Sequence, residues 1–231
     1  MSSKSRMRLL FDGVIAMLPL NIAILPWGFL AGSYAIEVGL HPVEGQLMSV
    51  VMFAGAGQLA LMGMIFAGAN LMTILMTIFF VTSRHLLYSV AVRAKVVDLP
   101  TRWRVILGFL LTDELFAIIG HQSPKQFQPW YAFGAGFSFY LIWNIATTTG
   151  IVAGSYLPDL DKWGLEFAVA AMFIGIVVPH IRSLAVIVCA IVALITSVAF
   201  SLWQIEGALM FSSLIAMAAG YTTERFVGVT K

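Results

Sequence analysis

Apolar residues in this chain follow neither the two-residue period of a half-buried strand nor the 3.6-residue period of a surface helix. They run on in blocks, at roughly 14–36, 46–67, 70–92, 105–121, 131–156, 164–179, 183–200 and 204–222. Apolar runs of about 20 residues predict helices crossing a hydrocarbon layer of about 30 Å. The dyad alternation of a membrane β-barrel is absent. Two blocks carry internal interruptions. Pro19 and Pro26 bracket LPLNIAILPWG in the first, and proline removes a donor and frees the carbonyl four residues earlier, so a kink is expected there. Gly55, Gly57 and Gln58 interrupt MFAGAGQLALMG in the second. Glycine costs about 1 kcal/mol relative to alanine inside a helix. Two half-helices joined at AGAGQ are therefore expected, entering and leaving on one side. Such backbone is tolerated at membrane depth only if buried in protein or lining a water-filled cavity.

Charge supports this reading. The N-terminus carries Lys4, Arg6 and Arg8, and the loop after the third block carries Arg93, Lys95, Arg102 and Arg104. Basic loops stay cytoplasmic, so one of the first three blocks does not cross, and 46–67 is the candidate. Tracing on puts Glu37–Glu44 outside, Arg93–Arg104 inside, His121–Pro129 outside, and Asp159–Lys162 and Arg182 inside. The turn near Trp203 then falls outside and both termini are cytoplasmic. Lys125 is left outside and Arg84 within a span. The tetrapeptide AGSY occurs at Ala31–Tyr34 and Ala153–Tyr156, 122 positions apart. That offset pairs Gly28 with Gly150, Glu37 with Asp159, Glu44 with Glu166, and Gln58 with His180 just after Pro179. The expected fold is an all-α polytopic membrane protein with about six full transmembrane helices plus two re-entrant or broken segments. It forms a single transmembrane transporter domain with an inverted-topology internal repeat, repeat one at about 10–121 and repeat two at about 130–226. Inverted repeats with broken helices are the plan of many secondary transporters, whose substrate site lies near the midplane at half-helix ends.

Composition narrows the function. The 231 residues are 60% hydrophobic and 10% charged, with mean hydropathy +0.94, against about 25% charged in soluble domains. Net charge +2 gives no reason to expect nucleic acid. The single cysteine, Cys189, excludes a disulfide framework and reads as a small buried thiol. The basic start MSSKSRMRLLFDG reads as the flank of a retained first span. HExxH, GxSxG and P-loop patterns are absent, and the four histidines have no metal-site spacing. Neither an enzyme nor a cofactor or metal is expected. With no large soluble domain between the blocks, activity is expected within the membrane or at its faces.

Polar residues inside apolar blocks are costly and face the bundle interior or a cavity. Asn70, Thr73, Thr77, Arg84 and Tyr88 share one helical face, with His85 beside it. Asp113 and Glu114 sit mid-block in VILGFLLTDELFAII. Arg84 and the two acids come to similar depths, so Arg84, His85, Asp113 and Glu114 are the candidate coupling and ion-pair group. The competing reading is an ion pair that only fixes helix register, or an arginine that snorkels. Imidazole changes charge near neutral pH, which makes His85 a candidate proton relay or an ordinary hydrogen-bonded histidine. The substrate-binding candidates are Asn21, Phe53, Gly55, Gly57, Gln58, Trp143, Asn144 and Thr147. A half-helix start at AGAGQ presents N–H groups to a carboxylate, and the preceding half-helix end presents carbonyls to an ammonium. A zwitterionic amino acid carries both, and Met52, Phe53, Leu59 and Met62 suit an aliphatic side chain. Close helix packing through small residues explains the glycines equally well.

MSVVMFAGAGQLA, SRHLLYSVAV and LLTDELFAI resemble the AzlC family, the large subunit of branched-chain amino acid exporters. The likeness runs in order over nearly the whole chain, from Gly13 and Pro19 to Trp143, Thr147 and Gly150. Thr82 departs from the asparagine common ahead of the Arg-His pair. The resemblance implies proton-driven efflux of valine, leucine, isoleucine or methionine across a bacterial inner membrane. It also implies a partner, a small AzlD-type membrane subunit. Against the exporter stand two other readings, a non-transporting scaffold or assembly subunit and a passive channel.

Overall fold

The protein is described from a computed structural model, which covers residues 5–156, 178, 181, 183–203, 205 and 208–228. Among these residues all regular structure is helical. The chain divides into two compact units, Met1–Ala67 with Val81–Leu165, and Gly68–Phe80 with Glu166–Lys231. Helices α5 (Leu71–Thr82) and α6 (Arg84–Val96) together make a 26-residue stretch long and apolar enough to cross a membrane, as does Leu184–Leu202. The pair α1 (Arg6–Ala23) and α2 (Leu25–Glu37) makes a third if taken as one broken span. The described residues thus supply two or three such helices, short of the six expected. The break expected near Pro179–His180, and residues 157–177 of the second repeat, lie outside the described residues.

In the first unit, α1 starts at Ser5, whose side chain accepts from the Arg8 N–H. It stops at Ile24, and α2 leaves at 54° with Pro26 in its first turn. This is the expected kink. Pro19 lies inside α1 and Pro26 opens α2, so the break falls between the two prolines, each of which withholds a backbone donor. Against this bent pair lies α9 (Pro129–Tyr156), 28 residues long and about 42 Å at 1.5 Å per residue. The contact is glycine-lined. A Cβ on Gly13 would collide with the Tyr131 carbonyl oxygen, and one on Gly134 with that of Leu10. The same holds for Gly32 against Thr147 and Gly150 against Phe29. Pairings advance together along both chains, from Gly13 with Tyr131 to Gly154 with Ile36, so α1–α2 and α9 run parallel. The two AGSY copies pack side by side, with Gly154 on the Cα of Ser33. An inverted repeat would set these two elements antiparallel. The described elements instead run parallel, with small residues matched at matching heights, and the inverted repeat is not confirmed.

The second block forms the expected hairpin. Helix α3 (Pro42–Val51) is started by His41 and Glu44 in a capping box with Pro42 in its first turn. It descends along α9: Gly45 lies by Ile151, Ser49 by Thr147, and the Val50 carbonyl accepts from Tyr140. Phe53, at φ 42°, turns the chain. Helix α4 (Gly55–Phe66) climbs back, from Gly55 under the Trp143 ring to Gly63 beside the Tyr34 hydroxyl.

The fourth block, 105–121, was expected to cross. Instead it is a second hairpin, entering from the other end. Helix α7 (Thr101–Phe109) starts with Trp103 against Trp130, ring centroids 5.0 Å apart, and rises until Phe109 meets Tyr140 at 5.5 Å. The helix breaks at Leu110–Thr112. Helix α8 (Asp113–Ile119) returns, and the Ile119 and Gly120 carbonyls accept from Lys95 Nζ at 2.7 and 2.6 Å. Arg6 and Arg102 line one pocket with Trp130. The loop 121–129 therefore lies at the basic end, not opposite it, and Lys125 ceases to be an exception. The sequence signal was Thr112-Asp113-Glu114, a capping threonine with two acids in the first turn that follows, read only as intramembrane charge.

In the second unit, α10 (Leu184–Leu202) and α11 (Ala208–Gly228) pack antiparallel, with Gly220 against the Cys189 side chain. Cys189 is half-buried.

Gly150→Val should destabilise the protein by about 1–3 kcal/mol in detergent thermal unfolding. Gly108→Ala, with open space around it, should be neutral or stabilising by up to about 1 kcal/mol. In a Cys189→Ser background, cysteines at Arg102 and Lys125 should label from one side and a cysteine at His41 from the other. Labelling of Lys125→Cys together with His41→Cys would remove the second hairpin.

Candidate functional site

The two hairpins meet tip to tip. Phe53 stacks on Phe109 at 6.0 Å and sits edge-on to Tyr140 at 4.9 Å and tilted to Phe139 at 6.1 Å. Phe53 is buried. A positive φ at a non-glycine residue is uncommon and costs of order 1–3 kcal/mol, so the aromatic packing holds a strained backbone in place.

Just beyond the tip, the first turn of α4 and the middle of α9 bury a polar chain. Gln58 Nε2 donates to Ser49 Oγ at 3.0 Å, and Ser49 Oγ donates to Thr147 Oγ1 at 3.0 Å. Thr147 Oγ1 donates on to the Trp143 carbonyl at 2.9 Å. Gln58, Ser49 and Thr147 are all wholly buried. Buried polar groups that find each other cost little, while one left alone costs about 1–3 kcal/mol. The Trp143 indole lies over Gly55, where a Cβ would come within 2.9 Å of the ring. Its Nε1 is buried and has no partner. Gly57 is hemmed in by Met52 and Thr82. Helix α4 has Ala54 at its N-cap and no side-chain cap hydrogen bond, so its first N–H groups lack the usual side-chain partner.

Of the expected substrate residues, Phe53, Gly55, Gly57, Gln58, Trp143 and Thr147 come together here. Asn144 does not join them. It faces α3, accepting from Gln46 Nε2 at 2.9 Å and donating to the Tyr140 carbonyl. Asn21 lies in the last turn of α1, donating to Ser138 Oγ at 3.3 Å with its Oδ1 buried and unpaired. Ser49 was missed: a lone serine in an apolar half-helix reads as packing unless the hairpin is already known. Phe109 and Tyr140 were missed for the same reason, since only the second hairpin brings them to the tip.

The expected ion pair is present. Arg84 Nη1 lies 2.8 Å from Asp113 Oδ2, each side chain a little over one-third exposed. It joins the start of α6 to the start of α8. Arg84 Nε and Asp113 Oδ1 are buried without partners. Glu114 lies by the Thr112 hydroxyl and its own backbone N–H. Asp113 and Glu114 thus also stand in the first turn of a half-helix, where negative charge is favoured. His85 Nδ1 is 2.9 Å from the Thr82 carbonyl, and its ring meets Tyr88 edge-on. Tyr88 stacks on Phe116 of α8 at 4.5 Å.

The paired half-helices around buried polar groups, with two or three helices long and apolar enough to cross a membrane, define an all-helical membrane protein among the described residues. The family described as AzlC protein matches residues 19–157, a stretch holding both hairpins and all of α9. The chain belongs to the AzlC protein family. It is 30% identical over 184 residues to an uncharacterized membrane protein of Archaeoglobus fulgidus, covering 79% of this chain and 80% of that one. Identity to the inner membrane protein YgaZ of Escherichia coli is 27% over 217 residues, 90% of this chain and 85% of that one. The branched-chain amino acid transport protein AzlC of Bacillus subtilis is 25% identical over 161 residues, 69% of this chain and 63% of that one. No solved structure matches.

Arg84→Gln, Asp113→Asn and the double variant should give a coupling of about 1 kcal/mol in a stability cycle. Strict additivity would show that the pair contributes nothing.

Proposed function

We propose that this protein exports neutral aliphatic amino acids, branched-chain ones and methionine, across the bacterial cytoplasmic membrane. One observation carries the reading: the uncapped start of α4 lies under a buried indole with an unpartnered N–H, beside the Ser49–Gln58–Thr147 chain. A substrate carboxylate takes the α4 N–H groups and the Trp143 N–H, favoured by the helix dipole. Hydroxyls and freed carbonyls receive the ammonium. Phe53 and the buried Leu59 and Met62 of α4 suit an aliphatic side chain. The name carried by the Bacillus subtilis relative supports the same substrate class.

The Arg84–Asp113 pair, with His85 and Glu114 nearby, couples export to the proton gradient in this reading. The basic end is cytoplasmic by the positive-inside rule. A small AzlD-type membrane subunit completes the exporter.

Counterflow of labelled leucine, valine and methionine into proteoliposomes, with the small subunit and a pH gradient, tests this. Saturable uptake is expected, reduced at least about tenfold in Ser49→Ala and Gln58→Leu while the protein stays inserted. A tenfold loss corresponds to about 1.4 kcal/mol, the scale of one buried hydrogen bond. Absence of saturable uptake for all three would overturn the exporter. Flux indifferent to the pH gradient would point to a channel.

A further inference from the structure

At the basic end of the first unit, three helix starts leave a pocket of about 450 Å³. It is lined by Arg6 of α1, Arg102, Trp103 and Ile106 of α7, and Trp130 and Phe133 of α9. Two of the six side chains are guanidiniums and no carboxylate is among them. Neither arginine has an ion pair or side-chain hydrogen bond among the described residues. The remaining wall is aromatic and tightly self-packed: Trp103 meets Trp130 edge-on at 5.0 Å and Phe133 at 6.0 Å, and Trp130 meets Phe133 at 6.2 Å.

The transport reading makes no use of this pocket. Trp130 precedes Thr147 by 17 residues on one continuous helix, about 25 Å at 1.5 Å per residue. Two unpaired guanidiniums on separate helices form a fork for an anion with several oxygens. A small soluble anion such as inorganic phosphate satisfies such a fork but makes no use of the aromatic wall. A phosphodiester attached to glycerol and acyl chains uses both. Tryptophan is enriched at the headgroup level, and basic pockets between membrane helices receive acidic lipid headgroups.

We propose that this pocket binds the headgroup phosphate of an anionic phospholipid from the leaflet at the basic end. Arg6 and Arg102 hold the phosphate oxygens, and Trp103, Trp130 and Phe133 flank the glycerol backbone. The site is independent of the transport assignment and stands if that assignment fails.

The test uses the purified full chain in detergent, titrated with phosphatidylglycerol, phosphatidylcholine or inorganic phosphate. Bound lipid is read by native mass spectrometry and unfolding by temperature. Phosphatidylglycerol should be retained and should raise the melting temperature, and phosphatidylcholine should do neither. Arg6→Gln and Arg102→Gln should each weaken retention roughly fivefold, with little change in melting temperature without lipid, because both side chains are exposed. Ile106→Trp keeps both charges but fills the pocket, and it should also abolish retention. That variant decides the matter if either arginine variant fails to fold. Equal retention of the two lipids, or retention surviving Ile106→Trp, overturns the proposal. Inorganic phosphate that displaces phosphatidylglycerol and stabilises to the same extent overturns the lipid assignment in favour of a soluble anion site.

Discussion

Two helices can lie at carbonyl contact only where no Cβ stands between them. The parallel seam of α1–α2 on α9 meets that condition at Gly13, Gly32, Gly134 and Gly150. Everything else in the first unit is referred to this seam. Helix α3 hangs on α9 through Gln46 and Ser49, α4 lies by α2 at Gly63, and Leu110 and Leu115 of the second hairpin close on Gly136. Widening the seam by one methyl group would shift the wall against which both hairpins are positioned. In a lipid environment apolar side chains gain little from meeting each other, so close packing of small residues takes over as the main cohesive term.

Two hairpins create four helix ends at depth, and the way each is satisfied distinguishes them. The end of α3 gives its Val50 carbonyl to Tyr140. The end of α7 tightens into a turn in which Thr112 donates to the Leu110 carbonyl. The start of α8 has Thr112 as cap and two acids in its first turn. Of the two helix starts, only that of α4 has no side-chain answer. The same spot holds an indole N–H without a partner. Unpaired donors in a dry place are expensive, and their coincidence is what supports the substrate carboxylate site proposed above.

The first hairpin was legible in the sequence because two independent signals agreed: glycines at the middle of an apolar block and the parity of the basic loops. The second was not, because 105–121 has the length and apolarity of a span, and its acids looked like buried charge instead of helix-start residues. The Arg84–Asp113 pair survived that error, since depth counted from the basic end is the same for a spanning helix and for the descending arm of a hairpin. The two AGSY segments pack on each other, but their relative direction could not be read from the sequence, and the internal repeat is not confirmed. A tetrapeptide says that two segments present similar faces, and only the heights of Gly13 and Gly154 against their partners show that they run the same way. Polar residues scattered along one helix, such as Trp143, Asn144 and Thr147, point in different directions. Sequence proximity grouped Asn144 with its neighbours, and helical geometry turned it towards Gln46.

Helix α6 grips α8 at both ends. Arg84 holds Asp113 at the start of α8, and Lys95 holds the Ile119 and Gly120 carbonyls at its finish. These two grips lie eleven residues apart on α6, about 16 Å, with Tyr88 stacked on Phe116 between them. A helix pinned to another at two points and stacked at a third cannot tilt or slide alone. These three contacts tie α6 and α8 into one unit, separated from α7 by the break at Leu110–Thr112.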